Sequence, residues 1–285
     1  MKNITIPETD EQADLVYKTV GEREILLTFL PPEKKLYDKA SLYFIISGGG
    51  WHSESRDSMI GFSKLSVDKL REYGYAVVSI DYRVVTEPDI VMRDIVTDCF
   101  DALRYVAYYA DVLGIDKYNI ITSGHSAGAH LALMLAYAPE MELRCDTSLN
   151  TDFKITATIP LSPITVLHND GFPKTHNLGD IGDCFRGCDT VEERKAVSPM
   201  TYVSKYCPAS LLCAGGSDDL VLCNSSEILY EELKKCGVAA KIVISHNGGH
   251  CFEPIGDVLG SYPNGFEIQD ILTDFVLEHT KPQAD

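Results

Sequence analysis

The sequence predicts an α/β fold in which helices cover both faces of a mostly parallel sheet. Strand-like runs alternate with amphipathic stretches along the chain, and these runs are almost continuously apolar, as strands buried on both faces are. The 285 residues, 45% of them hydrophobic, supply a sizeable core. No linker composition interrupts the chain, so we expect one domain over residues 1–285.

The elements of the first part follow from this alternation of apolar periods. They are antiparallel edge strands within residues 1–40, a buried strand over 41–47, a helix over 59–73, a strand over 75–80 and a long helix after Pro88 and Asp89. Val91, Ile95 and Cys99 recur on one face of the long helix, and Gly114 is expected to end it.

The second part continues the pattern. Its predicted elements are a strand over 119–123, a helix over 125–137, strands over 156–161 and 210–214, a helix over 225–236, a strand over 240–245 and a helix over 266–279. Residues 162–209 are rich in Gly, Pro and Asp and are expected to form an insertion that flanks the functional site. Ligands in such sheets bind beyond the carboxyl ends of the strands, so the loops that follow strands are the candidate positions.

Residues 124–128 read G-H-S-A-G and match the G-x-S-x-G nucleophile elbow. The match follows one predicted strand and opens a predicted helix, which is the context that the motif requires. Glycines on both sides let the backbone pass close to Ser126, and the helix N-terminus favours developing negative charge. A plain Gly/Ser loop is the alternative, and the context disfavours it. We therefore predict Ser126 as a nucleophile.

Residues 47–51, S-G-G-G-W, follow the first buried strand, at the position of an oxyanion hole. We predict that the N–H groups of Gly49, Gly50 and Ala127 stabilise an oxyanion. A phosphate-binding glycine loop would need spacings that are absent here. Trp51 and His125 are the predicted substrate-binding residues. For Trp51 an equal alternative is that the ring packs the loop against the core.

A serine nucleophile needs a base and a carboxylate that orients the base. Asp218 follows a predicted strand in a glycine-rich loop and is the predicted acid, with Asp219 as the fallback. His250 follows the last strand, where two preceding glycines let the loop fold back over the serine, and it is the predicted base. His246 is expected to be a structural or rim residue.

The other chemistry-bearing side chains are assigned structural roles. Cys251 adjoins His250 but is expected to pack, since Ser126 is the better-placed nucleophile. The spacing of His176, Cys184 and Cys188 matches no zinc pattern, so no metal is expected. A helical series of aspartates is expected to form a solvated face or a loop anchor; its members are Asp94, Asp98 and Asp101.

The composition of the chain excludes some classes of partner and indicates a cellular compartment. The formal net charge of −17 would repel nucleic acid, and no apolar run approaches the roughly 18 residues that span a bilayer. Secreted proteins more often carry an even, paired set of cysteines, whereas this chain has nine. Residues 1–8 also hold no apolar signal-peptide core, so a cytoplasmic location is expected. The sequence does not indicate an oligomeric state.

Taken together, these motifs resemble the α/β-hydrolase superfamily, from about residue 40 to the C-terminus. Within it the sequence is similar to the esterase/lipase group of hormone-sensitive-lipase-like, acetyl-xylan and feruloyl-type esterases. The resemblance is carried by G-G-G-W at 48–51, D-Y-R at 81–83, G-H-S-A-G at 124–128, H-L-A at 130–132, S-P-M-T-Y-V at 198–203, the Asp218 loop and His250. Two positions depart from the family pattern, since Ser47 and Ala214 stand where histidines are usual.

The resemblance implies a serine carboxylesterase that acts on short acyl esters, such as O-acetyl groups on a carbohydrate or a small alcohol. Its triad would be Ser126, His250 and Asp218, its partner a small-molecule or oligosaccharide ester, and it would need no cofactor. One alternative is an amide hydrolase of the kynurenine-formamidase type, which a formylated aniline would reveal. Another is a non-catalytic binding protein, which the intact triad residues disfavour.

Overall fold

The computed structural model describes residues 12–139, 149–168, 170–178, 185–253 and 260–280. The strands are β1 (Ala13–Val20), β2 (Arg23–Leu30), β3 (Ala40–Ile46), β4 (Ala76–Ile80), β5 (Ile115–His125), β6 (Ile155–Leu161), β7 (Ala209–Gly215) and β8 (Ala240–Ser245). The helices are α1 (Arg56–Phe62), α2 (Lys64–Glu72), α3 (Met92–Tyr108), α4 (Ala110–Leu113), α5 (Ala127–Tyr137), α6 (Val191–Ala196), α7 (Asn224–Lys235) and α8 (Gly265–His279).

The strands form one sheet in the order β1-β2-β4-β3-β5-β6-β7-β8. Within it β1 pairs antiparallel with β2, and β2 pairs antiparallel with β4. All the pairs from β4 through β3 to β8 are parallel. The carboxyl ends of five neighbouring strands, β3 and β5 to β8, therefore meet at one edge of the sheet, which is where the predicted site residues lie.

Both faces of the sheet are buried at its inner strands, as the continuous apolar runs predict, whereas the edge strands β1 and β8 are partly exposed. Every residue of β3 is buried, and its side chains alternate between two cores because the strand period is two residues. Leu42 and Phe44 face a core shared with α3 and α5. Tyr43 and Ile45 face a core shared with α1, α2 and α8. The predicted α/β architecture, with helices on both faces, is thus what the chain adopts.

The predicted helix over 59–73 is instead two helices that meet at Ser63. The N–H of Ser63 donates to Met59 O, which closes α1, and its carbonyl accepts from the N–H of Val67, which opens α2. The helical region also begins earlier than expected, because the Ser55 hydroxyl accepts from the N–H of Ser58 and caps α1. The apolar period alone carries no sign of this break.

The predicted insertion, where it is described, lies against the loop that follows β7. The N–H of Asn177 donates to Leu220 O at 2.8 Å, and the N–H of Leu222 donates to Thr175 O at 3.0 Å. The S-P-M-T-Y-V stretch is tied to the residues after β6, since the N–H of Leu167 donates to the Ser198 hydroxyl at 2.9 Å. Residues 169 and 179–184 of this segment, with Cys184, lie outside the described residues.

No helix in the described ranges combines the length and the apolar character that crossing a bilayer requires. Nor do they bring three or more His, Cys, Asp or Glu side chains into a group that could hold a metal ion.

A buried ion network joins β1, the segment after β4 and α3. Asp98 is fully buried and receives hydrogen bonds from Arg83 Nε at 2.7 Å, Arg83 Nη2 at 2.8 Å and Lys18 Nζ at 2.6 Å. Lys18 Nζ also donates to Asp101 at 2.6 Å. Of the two expectations for this aspartate series, Asp98 therefore anchors a loop and is not part of a solvated face.

Removal of this anchor should destabilise the protein. Because Asp98→Ala removes the buried carboxylate that accepts two hydrogen bonds from the Arg83 guanidinium, we expect the free energy of unfolding to fall by about 3–5 kcal/mol in urea titrations. The control is Asp68→Ala, whose partner Lys64 lies on the exposed face of α2 and whose removal should leave the midpoint nearly unchanged. Equal midpoints for the two variants would contradict the anchoring role.

Candidate active site

Ser126 stands in a sharp turn between β5 and α5. Its φ of 56° lies in the left-handed region, a conformation that costs a non-glycine residue about 1–3 kcal/mol and clusters at functional sites. A Cβ on Gly124 would stand 2.4 Å from the backbone of Gly128, and a Cβ on Gly128 would stand 2.1 Å from the carbonyl oxygen of Ile46. Both glycines are therefore required for the elbow to lie against the end of β3.

The structure brings together the three residues predicted as a triad. His250 Nε2 lies 2.9 Å from Ser126 Oγ, and His250 Nδ1 lies 2.7 Å from Asp218 Oδ2. Because a carboxylate only accepts hydrogen bonds, Nδ1–H donates to Asp218, and Nε2 is left to accept the proton of the serine hydroxyl. The imidazole is thus in the tautomer that a general base requires.

The acid loop separates Asp218 from its fallback. The side chain of Asp218 is completely buried, and its Oδ1 accepts from the N–H groups of Leu220 and Val221, both at 2.9 Å. These bonds leave Oδ2 directed at His250. Asp219 is exposed, and so is His246 on the last loop. Of the two candidate aspartates, only Asp218 reaches the imidazole.

The glycine loop after β3 forms one wall of a cavity at Ser126. Gly49 has a φ of 116°, and a Cβ there would stand 2.3 Å from Ser53 O, so only glycine fits. Gly50 has a φ of 63°. Among the hydrogen bonds of the described residues, none uses the N–H of Gly49, Gly50 or Ala127. Ala127 is the first residue of α5, where N–H groups have no helical partner.

Ser47, which replaces a usual histidine, holds the two ends of this loop together. Its hydroxyl accepts from the N–H of Ser55 at 3.0 Å. Its carbonyl accepts from the Tyr82 hydroxyl at 2.9 Å, which ties the loop to the D-Y-R segment. With serine in place of histidine, the loop is therefore still anchored, through both the side chain and the backbone of Ser47.

Trp51 is fully buried and joins the glycine loop to α5. Its indole N–H lies 3.3 Å from His130 Nδ1, and the two rings pack edge to face with centroids 5.2 Å apart. His130 Nε2–H in turn donates to Val197 O at 2.7 Å, and burial lowers the pKa of His130 to about 4. The indole nitrogen is thus used by the protein, and only the carbon atoms of Trp51 can form cavity wall.

His125, the other predicted substrate-binding residue, is half-buried beside the base. Its ring lies 4.7 Å from the ring of His250 and 4.8 Å from that of Phe62. Its Nε2 lies 2.8 Å from the carbonyl oxygen of His250 and 3.8 Å from Cys251 Sγ. Nε2 is therefore occupied by the base loop, although the residue does line the cavity.

The cavity above Ser126 has a volume of about 310 Å³. Three of its apolar wall residues have no sequence motif: Ile164, Leu178 and Leu220. They lie in two segments that the sequence does predict to flank the site, the insertion and the Asp218 loop, but no residue pattern distinguishes them within those segments. Their position after strand ends is the one signal that could have indicated them.

Known proteins are similar to this chain in sequence and in fold. The BD-FAE family model matches residues 28–233. The native structure of the thermophilic esterase Est2 of Thermogutta terrifontis aligns with a TM-score of 0.76 and 27% identity, covering 98% of this chain and 97% of that one. Its butyrate-bound form aligns with a TM-score of 0.77 and 26% identity, covering 97% of this chain and 98% of that one.

Two curated relatives are similar over much of this chain. One is the probable isoprenylcysteine alpha-carbonyl methylesterase of Oryza sativa subsp. japonica, 28% identical over 72% of this chain and 50% of that protein. The other is the methylphloroacetophenone synthase of Cladonia uncialis, 24% identical over 87% of this chain and 13% of that protein. The chain thus spans half or less of the length of these relatives.

The family match covers well over half of the chain, and the alignment with Est2 extends over almost all of it. The predicted α/β-hydrolase fold is confirmed by that alignment. The chain belongs to the BD-FAE family, among the α/β-hydrolase esterases and lipases.

Proposed function

We propose that this protein is a serine carboxylesterase that hydrolyses short-chain acyl esters, with O-acetyl groups on a carbohydrate or a small alcohol as the first candidate substrates. The observation that carries the proposal is the continuous hydrogen-bond chain from Ser126 through His250 to Asp218, at 2.9 and 2.7 Å. A nucleophile, a base and an orienting carboxylate in this order define the chemistry of acyl transfer.

Each step of the reaction has a group to perform it. Ser126 Oγ attacks the ester carbonyl carbon while His250 Nε2 takes its proton, and Asp218 stabilises the imidazolium. The N–H groups of Gly49, Gly50 and Ala127 donate to the oxyanion. When the ester C–O bond breaks, the imidazolium protonates the leaving alcohol. A water molecule, deprotonated by His250, then attacks the acyl-enzyme, releases the acid and restores Ser126.

The proximity of the base supports catalysis over binding alone. A binding protein built on this fold has no need to keep a histidine within hydrogen-bond distance of the serine. Here His250 Nε2 lies 2.9 Å from Ser126 Oγ, and Ser126 keeps a φ of 56° that costs free energy. The strained turn and the aligned base together favour an active hydrolase.

The size and the walls of the cavity support a short acyl group. Its volume of about 310 Å³ is at the lower end of the range for ligand sites, and apolar side chains form much of its wall. The Est2 structure with butyrate bound shows that a related esterase accepts a four-carbon acid. A net charge of −17 also favours neutral esters over anionic ones.

The first test is ester hydrolysis by the wild type and by Ser126→Ala. With p-nitrophenyl acetate we expect the substitution to lower kcat roughly 10⁴-fold or more, since the nucleophile is lost. The control is Cys251→Ser, which should keep wild-type activity because the thiol contacts His125 and not the serine. If the wild type is inert towards these esters but cleaves a formylated aniline, the amide hydrolase alternative replaces the esterase.

The second test separates two adjacent aspartates. Asp218→Asn should lower kcat about 10⁴-fold, because an amide cannot hold the imidazole in the required tautomer. Asp219→Asn, at the exposed neighbouring position, should change kcat little. Steady-state rates with p-nitrophenyl acetate measure both. A large loss in the Asp219 variant alone would overturn the assignment of the acid.

The third test concerns acyl length. Ile164 lines the cavity, so Ile164→Ala should raise the ratio of kcat/KM for p-nitrophenyl octanoate over acetate, by about tenfold for the volume of the methylenes removed. Ile159→Ala is the matched control, since Ile159 is equally buried but packs in the core on the other face of the sheet. A wild-type ratio in both variants would mean that the acyl chain lies elsewhere.

A further inference from the structure

The carbonyl oxygen of His250 receives two side-chain hydrogen bonds from two other strand ends. His125 Nε2 lies 2.8 Å from this oxygen, and Ser162 Oγ lies 3.0 Å from it. His125 is the last residue of β5, and Ser162 follows β6 directly. The base is therefore held by two hydrogen bonds to its backbone carbonyl, at 2.8 and 3.0 Å, in addition to the two that its imidazole makes at 2.7 and 2.9 Å.

The chemistry of His125 fixes the direction of its hydrogen bond. A carbonyl oxygen only accepts, so Nε2 of His125 carries the proton and Nδ1 does not. Burial and the neighbouring His250 lower the pKa of His125 to about 4, which keeps the ring neutral at pH 7. The ring also packs between the tilted rings of Phe62 and His250, which limits its rotation. His125 is thus a fixed donor beside the base.

Ser162 has a backbone conformation that is strained for a residue other than glycine. It is fully buried, with a φ of 48°, and its N–H donates to Cys213 O at 2.7 Å. Glycine would adopt this φ without strain, but it would lack the hydroxyl that reaches His250. The strained serine is accounted for by the hydrogen bond that its side chain makes.

We propose that His125 and Ser162 form a clamp on the backbone carbonyl of His250 and act as positioning residues for the base. Neither touches the reacting atoms; together they set where the imidazole stands between Ser126 and Asp218. This inference rests on the proposed function, and it gives His125 a role other than substrate binding. A displacement of about 1 Å at a catalytic group can cost about 10²-fold in rate, so the clamp should affect turnover.

The test uses paired variants and p-nitrophenyl acetate. His125→Phe keeps a ring but removes the donor, and His125→Gln keeps an N–H donor. Ser162→Gly removes the hydroxyl and relieves the strain at φ 48°. We expect kcat to fall about tenfold in His125→Phe and in Ser162→Gly, and about 100-fold or more in the double variant, with KM changed by less than about twofold. His125→Gln should recover most of the rate.

The controls separate positioning from stability. His246→Phe, at an exposed position on the same loop, should keep the wild-type kcat. The Tm of Ser162→Gly should equal or exceed that of the wild type, so a loss of kcat there cannot be attributed to unfolding, even if His125→Phe folds poorly. If the role of Ser162 is purely structural, Ser162→Gly will have a lower Tm than the wild type and an unchanged kcat. That result would overturn the proposal.

Two negative outcomes remain distinct. If the wild type turns over no ester and Ser126→Ala is equally inert, the proposed function fails and the clamp fails with it. If the wild type hydrolyses the ester, and the folded double variant keeps kcat within about twofold of it, the esterase stands and the clamp alone is rejected.

Discussion

The approach of α5 to the end of β3 is the constraint on which the rest of the site depends. A single added carbon at Gly128 would stand 2.1 Å from the carbonyl oxygen of Ile46. Because the glycine loop begins at the next residue, this approach sets the distance between the serine turn and the N–H groups proposed for the oxyanion. One contact between backbone atoms therefore sets the relative positions of the nucleophile and the proposed oxyanion donors, without any contribution from side chains.

Close backbone packing at a glycine also brings the acid loop and the base loop together. A Cβ on Gly215, at the end of β7, would stand 2.1 Å from the carbonyl oxygen of Gly249, and the N–H of Ser217 donates to Gly248 O at 2.9 Å. The loops that carry Asp218 and His250 are thus packed backbone against backbone. Parallel strands bring these loops to one edge of the sheet, and glycines let them come within hydrogen-bond distance.

The sequence predicts the features that depend on a local residue pattern or on the residue types in a loop. A motif in its strand-to-helix context predicts Ser126, and their position after late strands predicts Asp218 and His250; the structure brings all three together. Features that depend on packing between distant parts of the chain are not predictable. The break at Ser63 does not alter the apolar period, and nothing near Ser162 in the chain shows that its hydroxyl reaches a loop 88 residues away.

Trp51 gives the protein an optical property of its own. It is the sole tryptophan among the 285 residues, and it lies in the loop that is proposed to hold the oxyanion, buried against a neutral histidine. Any change in indole fluorescence therefore originates from one place in the molecule. The loop whose geometry matters for the proposed reaction can be followed during turnover without a label, because the chain contains no second indole to obscure it.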